Sequence, residues 1–214
     1  MQASPDDILR ADPCLRGPEG KRDDRVMLGS VFYLDGDSFD RRSRIERSLR
    51  QRLKFRHWTG QLDLIAYAGD EKLDTDISAR LTVLERLVSA GDRTGPKVLM
   101  GRSSGARVAS LLAAGGAAIS ALVCFGYPFR NPKGPVEPAR YSHLARIATP
   151  TLILQGMSDV YGGLEITRNY ELSDAVTVRF VDCGHDFSVS EDEWDRIADL
   201  VGGFCLRHAC PLTV

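Results

Sequence analysis

The sequence lacks the features that mark membrane-spanning and secreted proteins. No apolar run is long enough to cross a bilayer, and the stretch 1–24 contains no apolar core of signal-peptide length. The five cysteines are odd in number and include no C-x-x-C pair, which argues against a disulfide framework and against a zinc site. These absences predict a cytoplasmic protein.

The sequence also lacks an excess of charge of either sign. Its 28 basic and 29 acidic residues leave a net charge of −1, which provides no general attraction for nucleic acids or acidic membranes. It contains no glycine-rich phosphate loop, no dinucleotide fingerprint and no cluster of metal ligands. We therefore predict no cofactor and no metal. The expected partner is a small molecule, and the sequence leaves the oligomeric state open.

The chain does contain enough apolar sequence for one well-packed core, since 43% of its 214 residues are hydrophobic. Residues 1–25 are rich in proline, glycine and charge and are expected to form a loosely held arm. The remainder, 26–214, is predicted to be a single domain.

Short apolar runs alternate with amphipathic helical patterns through this domain. Most of the runs are continuous rather than alternating, as is typical of parallel strands covered on both faces. This order predicts an α/β fold with an open, mostly parallel sheet and helices on both faces. The predicted strands are Val26–Leu34, Leu62–Tyr67, Lys97–Met100, Ala121–Phe125, Thr151–Gln155 and Val176–Val181.

Three helical patterns lie between or after these runs. Ile45 opens one with apolar residues every fourth position, and Asp76 stands where it could cap a second. Ser190 and Glu193 have the capping-box spacing at the start of the last helix. In such a sheet, ligands bind beyond the carboxyl ends of the strands, so the residues that follow the strands are the candidates for a site.

The strongest candidate is the stretch "VLMGRSSGARV", in which Gly101, Ser103 and Gly105 form a Gly-x-Ser-x-Gly motif between a strand and a helix. In this motif a serine on a very sharp turn points its hydroxyl away from the sheet, and the flanking glycines allow the close backbone approach. The backbone amide of Ser104, at the helix start, is positioned to stabilise a developing oxyanion.

A serine nucleophile in this setting predicts an acid and a histidine later in the chain. Asp159 follows the strand at 151–155, and His185 lies in a glycine-containing loop after the strand at 176–181. Two of the other histidines, His57 and His143, precede Asp159 and break that order. The order and the strand ends together favour Ser103, Asp159 and His185 as a catalytic triad.

The stretches "GRSSGARVASLL", "CFGYPF", "TPTLILQGMSDVYG" and "CGHDF" resemble the α/β-hydrolase superfamily, and within it the small dienelactone-hydrolase-like group. The resemblance is good over 95–205 and loose over 26–94. It implies a serine esterase or related acyl hydrolase with Ser103 as nucleophile, Asp159 as acid and His185 as base. It also implies that the chain begins at the third strand of the superfamily, with about six strands and little or no lid.

The loop "LDGDSF" after the first strand departs from that group, which tends to have a His-Gly-rich oxyanion loop there. We expect this loop to border Ser103, with the amide of Gly36 or Asp37 as the second oxyanion donor. Ser38 is expected to cap the next helix while its neighbours line the site. Tyr127 and Phe129, which follow another strand, would either form an apolar wall for an acyl group or pack beneath the long connection 127–150.

Two alternatives remain open at this level. "LDGDSF" also resembles the nucleophile block of SGNH (GDSL-type) esterases, in which Ser38 would act with Asp182 and His185. That family draws an oxyanion donor from a Gly-x-Asn-Asp block, which this chain lacks, so Ser103 is favoured. The second alternative is a catalytically idle α/β-hydrolase scaffold used for protein–protein contact.

Overall fold

The computed structural model describes residues 28–37, 44–69, 76–90 and 95–209. The predicted N-terminal arm, 1–25, lies outside these residues. The strands are β1 (Leu28–Leu34), β2 (Phe55–Thr59), β3 (Lys97–Arg102), β4 (Ala121–Phe125), β5 (Thr151–Gly156) and β6 (Val176–Val181). The α-helices are α1 (Arg44–Arg52), α2 (Gln61–Ala68), α3 (Ile77–Ser89), α4 (Ser104–Ala114), α5 (Ile166–Asn169) and α6 (Glu191–Ala209). Two 3₁₀ helices, Pro138–Arg140 and Ser142–Arg146, lie between β4 and β5.

The described strands form one parallel sheet with the order β2-β1-β3-β4-β5-β6. This confirms the predicted α/β class and the expected six strands. The chain runs outwards from β1 to β2 and then returns to place β3 on the other side of β1. The carboxyl ends of β1 and β3 therefore flank a topological switch point, where open α/β sheets bind their ligands.

Helices cover both faces of the sheet, so the central strands are inaccessible to water. All five residues of β4 are fully buried, which explains why its sequence is continuously apolar. On one face the strands pack against α1 and α6, with the core residues Val31, Met100, Val123, Leu49, Trp194 and Val201. On the other face they pack against α3 and α4, with the core residues Phe32, Leu99, Leu122, Leu84, Val108 and Leu112.

The predicted strand Leu62–Tyr67 was wrong, because these residues lie within helix α2. Gly60 precedes the helix and donates its amide to the Asp63 carboxylate at 2.8 Å, and Gly69 ends the helix with a left-handed φ of 78°. The caps at both ends thus stabilise a helix where the apolar run had predicted a strand. The strand that the sequence analysis missed is β2. It lies at the edge of the sheet, and its exposed Arg56 and His57 interrupt the apolar run that would indicate a strand.

No helix among the described residues combines the length and the apolar character that crossing a membrane requires.

We expect Asp76→Ala to destabilise the protein by about 1 kcal/mol, because the Asp76 carboxylate accepts the amides of Ser78 and Ala79 at the start of α3 (2.6 and 3.1 Å). Asp76→Asn keeps a capping oxygen and serves as the matched control. The free energy of unfolding, measured by urea denaturation, should fall in the alanine variant and fall much less in the asparagine variant. Equal losses in both variants would show that capping is not the source of the stability.

Candidate active site

Ser103, His185 and Asp159, which follow β3, β6 and β5, come together above the carboxyl edge of the sheet. His185 Nε2 lies 3.0 Å from Ser103 Oγ, and His185 Nδ1 lies 2.8 Å from Asp159 Oδ2. The three side chains are separated by 26 to 82 positions in the chain, and only the shared sheet edge unites them. The geometry is that of a nucleophile, a base and an acid in a hydrogen-bonded line.

Ser103 occupies a strained turn between β3 and α4. Its φ of 51° and ψ of −124° lie in a region that residues with a side chain rarely adopt, at a cost of about 1–3 kcal/mol. The turn is possible because glycines stand on both sides. A Cβ on Gly101 would lie 2.6 Å from the Gly105 carbonyl oxygen, and one on Gly105 would lie 2.5 Å from that of Asp35.

Asp159 is held rigidly and is only 2% exposed. Its Oδ2 accepts a hydrogen bond from Gln155 Nε2 at 3.0 Å, and its Oδ1 accepts the backbone amide of Tyr161 at 2.8 Å. Gln155 is itself fully buried and spans the β4 and β5 loops, since its Oε1 accepts the amide of Tyr127. These donors fix the orientation of the carboxylate toward His185.

Two further residues shape the space around the imidazole of His185. The ring of Tyr161 packs against it with a centroid distance of 4.5 Å. Gly126, directly after β4, has a φ of 55°, and a Cβ there would lie 3.2 Å from His185 Nδ1 and 3.4 Å from Asp159 Oδ2. The left-handed turn at Gly126 therefore leaves room for the imidazole–carboxylate pair.

The loop after β1 borders Ser103, as expected from the sequence. A Cβ on Gly36 would lie 3.1 Å from Ser103 Cβ. The Gly36 amide, one of the two expected oxyanion donors, donates to the Asp35 carboxylate at 2.9 Å in this structure. On the other side, Ser104 is the first residue of α4, where backbone amides have no carbonyl partner within the helix.

A buried arginine on α3 connects this loop to the turn at Ser103. Arg80 is 2% exposed and donates to Asp37 Oδ1 at 3.1 Å, to Ser104 Oγ at 2.9 Å and to the carbonyl oxygen of Asp35. Burial lowers the pKa of Arg80, while the carboxylates of Asp37 and Asp35 oppose that shift. From its position on α3, Arg80 therefore contacts both the loop after β1 and the start of α4, the two segments that form the proposed oxyanion site.

Sequence reasoning missed Arg80 and Gln61, which both anchor the β1 loop. Gln61 is 2% exposed, and its Oε1 accepts the backbone amide of Asp35 at 2.9 Å. A signal for Arg80 existed, because it lies on the apolar stripe of α3, between Ile77 and Leu84. A charged residue on a buried face is the informative exception in such a pattern.

The remaining predicted site residues have other positions. Tyr127 and Phe129 are fully buried, so Tyr127 is corrected from a candidate acyl wall to a core residue, while Phe129 packs in the core and also lines the cleft described below. Its hydroxyl donates to the Arg140 carbonyl oxygen at 2.6 Å. Ser38 lies outside the described residues. Asp182, the acid of the alternative SGNH-type site, is exposed, and the Nδ1 atom of His185 forms its hydrogen bond with Asp159.

An open cleft of about 600 Å³ lies along the loops that follow β4 and β5, and its lining does not include Ser103, Asp159 or His185. Val160 lines it, and the next residue, Tyr161, contacts His185. Its other walls are largely apolar and aromatic and include Phe129, Pro135, Val136, Glu137, Tyr141 and Tyr170. Over the described ranges, no group of three or more histidine, cysteine or acidic side chains is arranged to hold a metal ion.

The chain belongs to the α/β hydrolase domain family, whose model matches residues 69–200. That match contains Ser103, Asp159 and His185. No curated protein matches the chain.

Solved structures with the same fold include several esterases. Est1E from Butyrivibrio proteoclasticus is 13% identical with a TM-score of 0.60, over 85% of this chain and 88% of that one. The esterase domain from a Rhodothermus marinus protein is 14% identical with a TM-score of 0.60, over 92% and 97%. CarC, a serine hydrolase involved in carbazole degradation, is 17% identical with a TM-score of 0.61, over 83% and 91%. At these identities the likeness concerns the fold.

Gly126→Ala tests whether the space beside the imidazole matters. We expect it to disturb the His185–Asp159 hydrogen bond, because the added methyl group meets both side chains at 3.2–3.4 Å. Gly116→Ala is the matched control, since Gly116 also has a positive φ (83°) but nothing within 4 Å of an added Cβ. Each variant should lose about 1 kcal/mol of stability from the backbone conformation.

Only Gly126→Ala should also shift the imidazole proton resonances of His185 in NMR spectra. If the two variants give the same His185 spectrum, the glycine has no role beyond its backbone angles.

Proposed function

We propose that this protein is a serine hydrolase that cleaves an ester or a similar acyl bond through Ser103, His185 and Asp159. The observation that carries the proposal is the continuous line of hydrogen-bonding distances, 3.0 Å from Ser103 Oγ to His185 Nε2 and 2.8 Å from Nδ1 to Asp159. Membership of the α/β hydrolase domain family and the fold shared with esterases support the same conclusion.

In the first step, Ser103 Oγ attacks the acyl carbonyl while its proton passes to His185 Nε2. His185 then donates that proton to the departing alcohol oxygen, which leaves an acyl group on Ser103. In the second step, His185 takes a proton from water, and the resulting hydroxide attacks the acyl-enzyme. The products are a carboxylic acid and an alcohol, and Ser103 regains its proton.

Asp159 holds the imidazole with Nδ1 protonated, so that Nε2 is free to accept the serine proton. This role suits a carboxylate that is 2% exposed and fixed by Gln155 and Tyr161. The positive charge that His185 carries during the reaction is then balanced by the Asp159 carboxylate, which is already oriented toward the imidazole.

The developing oxyanion would be stabilised by the backbone amide of Ser104, at the amino end of α4. The second donor would come from the Gly36–Asp37 backbone, which borders Ser103. Since the Gly36 amide donates to Asp35, the Asp37 amide or a shift of Asp35 would provide this contact. The Asp35 carboxylate is also paired with the Arg102 guanidinium, at 3.6 Å.

The substrate is proposed to be a small molecule whose apolar part lies in the cleft beside Val160. The similarity of "CFGYPF" and "CGHDF" to the dienelactone-hydrolase-like group supports placement in that branch of the superfamily.

Replacement of Ser103 by alanine should abolish hydrolysis of 4-nitrophenyl acetate without unfolding the protein, because no acyl-enzyme can form. Wild-type protein should also be labelled by a fluorophosphonate probe, and Ser103→Ala should not. Ser120→Ala, a change in a partly buried serine at a strand start, is the matched control and should keep both activities. Absence of labelling in the wild type would instead favour an idle scaffold.

Asp159→Asn should lower kcat by about 10³- to 10⁴-fold, since an amide at this position stabilises neither the required tautomer nor the imidazolium. Asp182→Asn and Ser38→Ala are the comparison variants, because both residues would be essential in an SGNH-type esterase. Steady-state kinetics with one aryl ester separate the two mechanisms. A large loss in Ser38→Ala or Asp182→Asn, with Asp159→Asn active, would contradict the Ser103 mechanism.

A further inference from the structure

Arg80 on helix α3 contacts both segments of the proposed oxyanion site with a single guanidinium group. Its Nη1 donates to Asp37 Oδ1 at 3.1 Å and to Ser104 Oγ at 2.9 Å, and its Nη2 donates to the carbonyl oxygen of Asp35. The Ser104 hydroxyl also donates to Asp37 Oδ1. The loop after β1 and the first turn of α4 are therefore fixed to each other through these side chains.

The backbone amides of the loop after β1 differ in what they bind. The Asp35 amide donates to Gln61 Oε1 at 2.9 Å, and the Gly36 amide donates to the Asp35 carboxylate at 2.9 Å. Among the residues that the structure describes, none accepts a hydrogen bond from the Asp37 amide. Of these three amides, that of Asp37 is the one left to bind an oxyanion.

The peptide group between Gly36 and Asp37 lies close to the nucleophile. It begins at Gly36, where a Cβ would lie 3.1 Å from Ser103 Cβ and 3.6 Å from Ser103 Oγ. It ends at Asp37, whose carboxylate accepts the hydroxyl of Ser104. The Asp37 amide is therefore near the Ser104 amide, which is the other proposed oxyanion donor.

Arg80 is bonded on both sides of this peptide group, to the Asp35 carbonyl before it and to the Asp37 carboxylate after it. The Asp37 side chain is 53% exposed, whereas the Arg80 side chain that binds it is 2% exposed. A planar guanidinium has several donors in fixed directions and can hold three acceptors at once. Its positive charge also offsets the Asp37 carboxylate, which would otherwise repel an oxyanion nearby.

We propose that Arg80 is a positioning residue for the reaction, because it fixes the Asp37 amide relative to the Ser104 amide so that both can stabilise one oxyanion. This inference rests on the proposed function and adds the residue on which that stabilisation depends. Donors that are held in place before the reaction lower the barrier because they need no reorganisation in the transition state. Arg80 itself touches neither the substrate nor the reacting atoms.

Steady-state kinetics with 4-nitrophenyl acetate test the role of Arg80. We expect Arg80→Gln to lower kcat by about 10²-fold, the loss typical of one missing oxyanion donor, while KM changes little. Arg86→Gln, a change in an exposed arginine on the same helix, is the matched control and should leave kcat unchanged. Circular dichroism and urea denaturation establish that each variant is folded.

A pair of inhibitors separates oxyanion stabilisation from a general loss of structure. Ser103 Oγ adds to the carbonyl carbon of benzyl trifluoromethyl ketone, its proton passes to His185, and the carbonyl oxygen becomes an oxyanion. Benzyl methyl ketone is the unactivated analogue and binds without this addition. In Arg80→Gln the Ki of the trifluoromethyl ketone should rise by the factor by which kcat falls, and the Ki of the methyl ketone should stay the same.

Variants of Asp37 test the same contact if Arg80→Gln does not fold. Asp37→Ala removes the acceptor of Arg80 at a half-exposed position and should lower kcat, whereas Asp37→Asn keeps an acceptor oxygen and should retain most of it. The Arg80→Gln, Asp37→Ala double variant should be no slower than Arg80→Gln, because both changes break one contact.

A kcat in folded Arg80→Gln equal to that of the wild type would overturn this inference and leave the proposed hydrolase activity intact. An equal loss of affinity for both ketones would overturn it as well, and so would a fully active Asp37→Ala variant. A wild type that hydrolyses no ester would contradict the proposed function itself, and this inference with it.

Discussion

The turn at Ser103 is the constraint on which the rest of the site depends. A serine with a φ of 51° is held there because Gly101 and Gly105 let the strand, the helix and the end of β1 approach within contact distance. The strain at this position is offset by the packing of β3 and α4, whose apolar residues are almost all buried. The hydroxyl is thereby held above the carboxyl edge of the sheet.

Buried polar residues extend this rigidity from the turn to the surrounding loops. Gln155 links the loops after β4 and β5 and orients Asp159, and Gln61 and Arg80 anchor the loop after β1. Each of these side chains is 0–2% exposed, so its hydrogen bonds face little competition from water.

Much of the fold and of the candidate site could be predicted from the sequence. The apolar runs at 121–125 and 176–181 are strands with the predicted limits. The first is buried over its whole length and is continuously apolar, whereas the second is the edge strand β6, with an exposed Arg179. Helix α2 and strand β2 were missed, since α2 depends on caps at Gly60 and Gly69, and β2 is an edge strand with an exposed, polar face. The Ser103, Asp159 and His185 positions followed from strand ends and chain order, and the structure brings these three side chains into contact.

The sequence by itself determined the parallel α/β class, the glycine-flanked serine turn and the order of serine, acid and histidine, because each is recorded in local spacing and periodicity. Only the tertiary structure decided that Arg80, 24 residues before Ser104, reaches its hydroxyl, and that Gln155 links the loops after β4 and β5. Such pairings depend on how helices dock on the sheet and on which charges are already matched. A linear pattern of residue types carries no record of either.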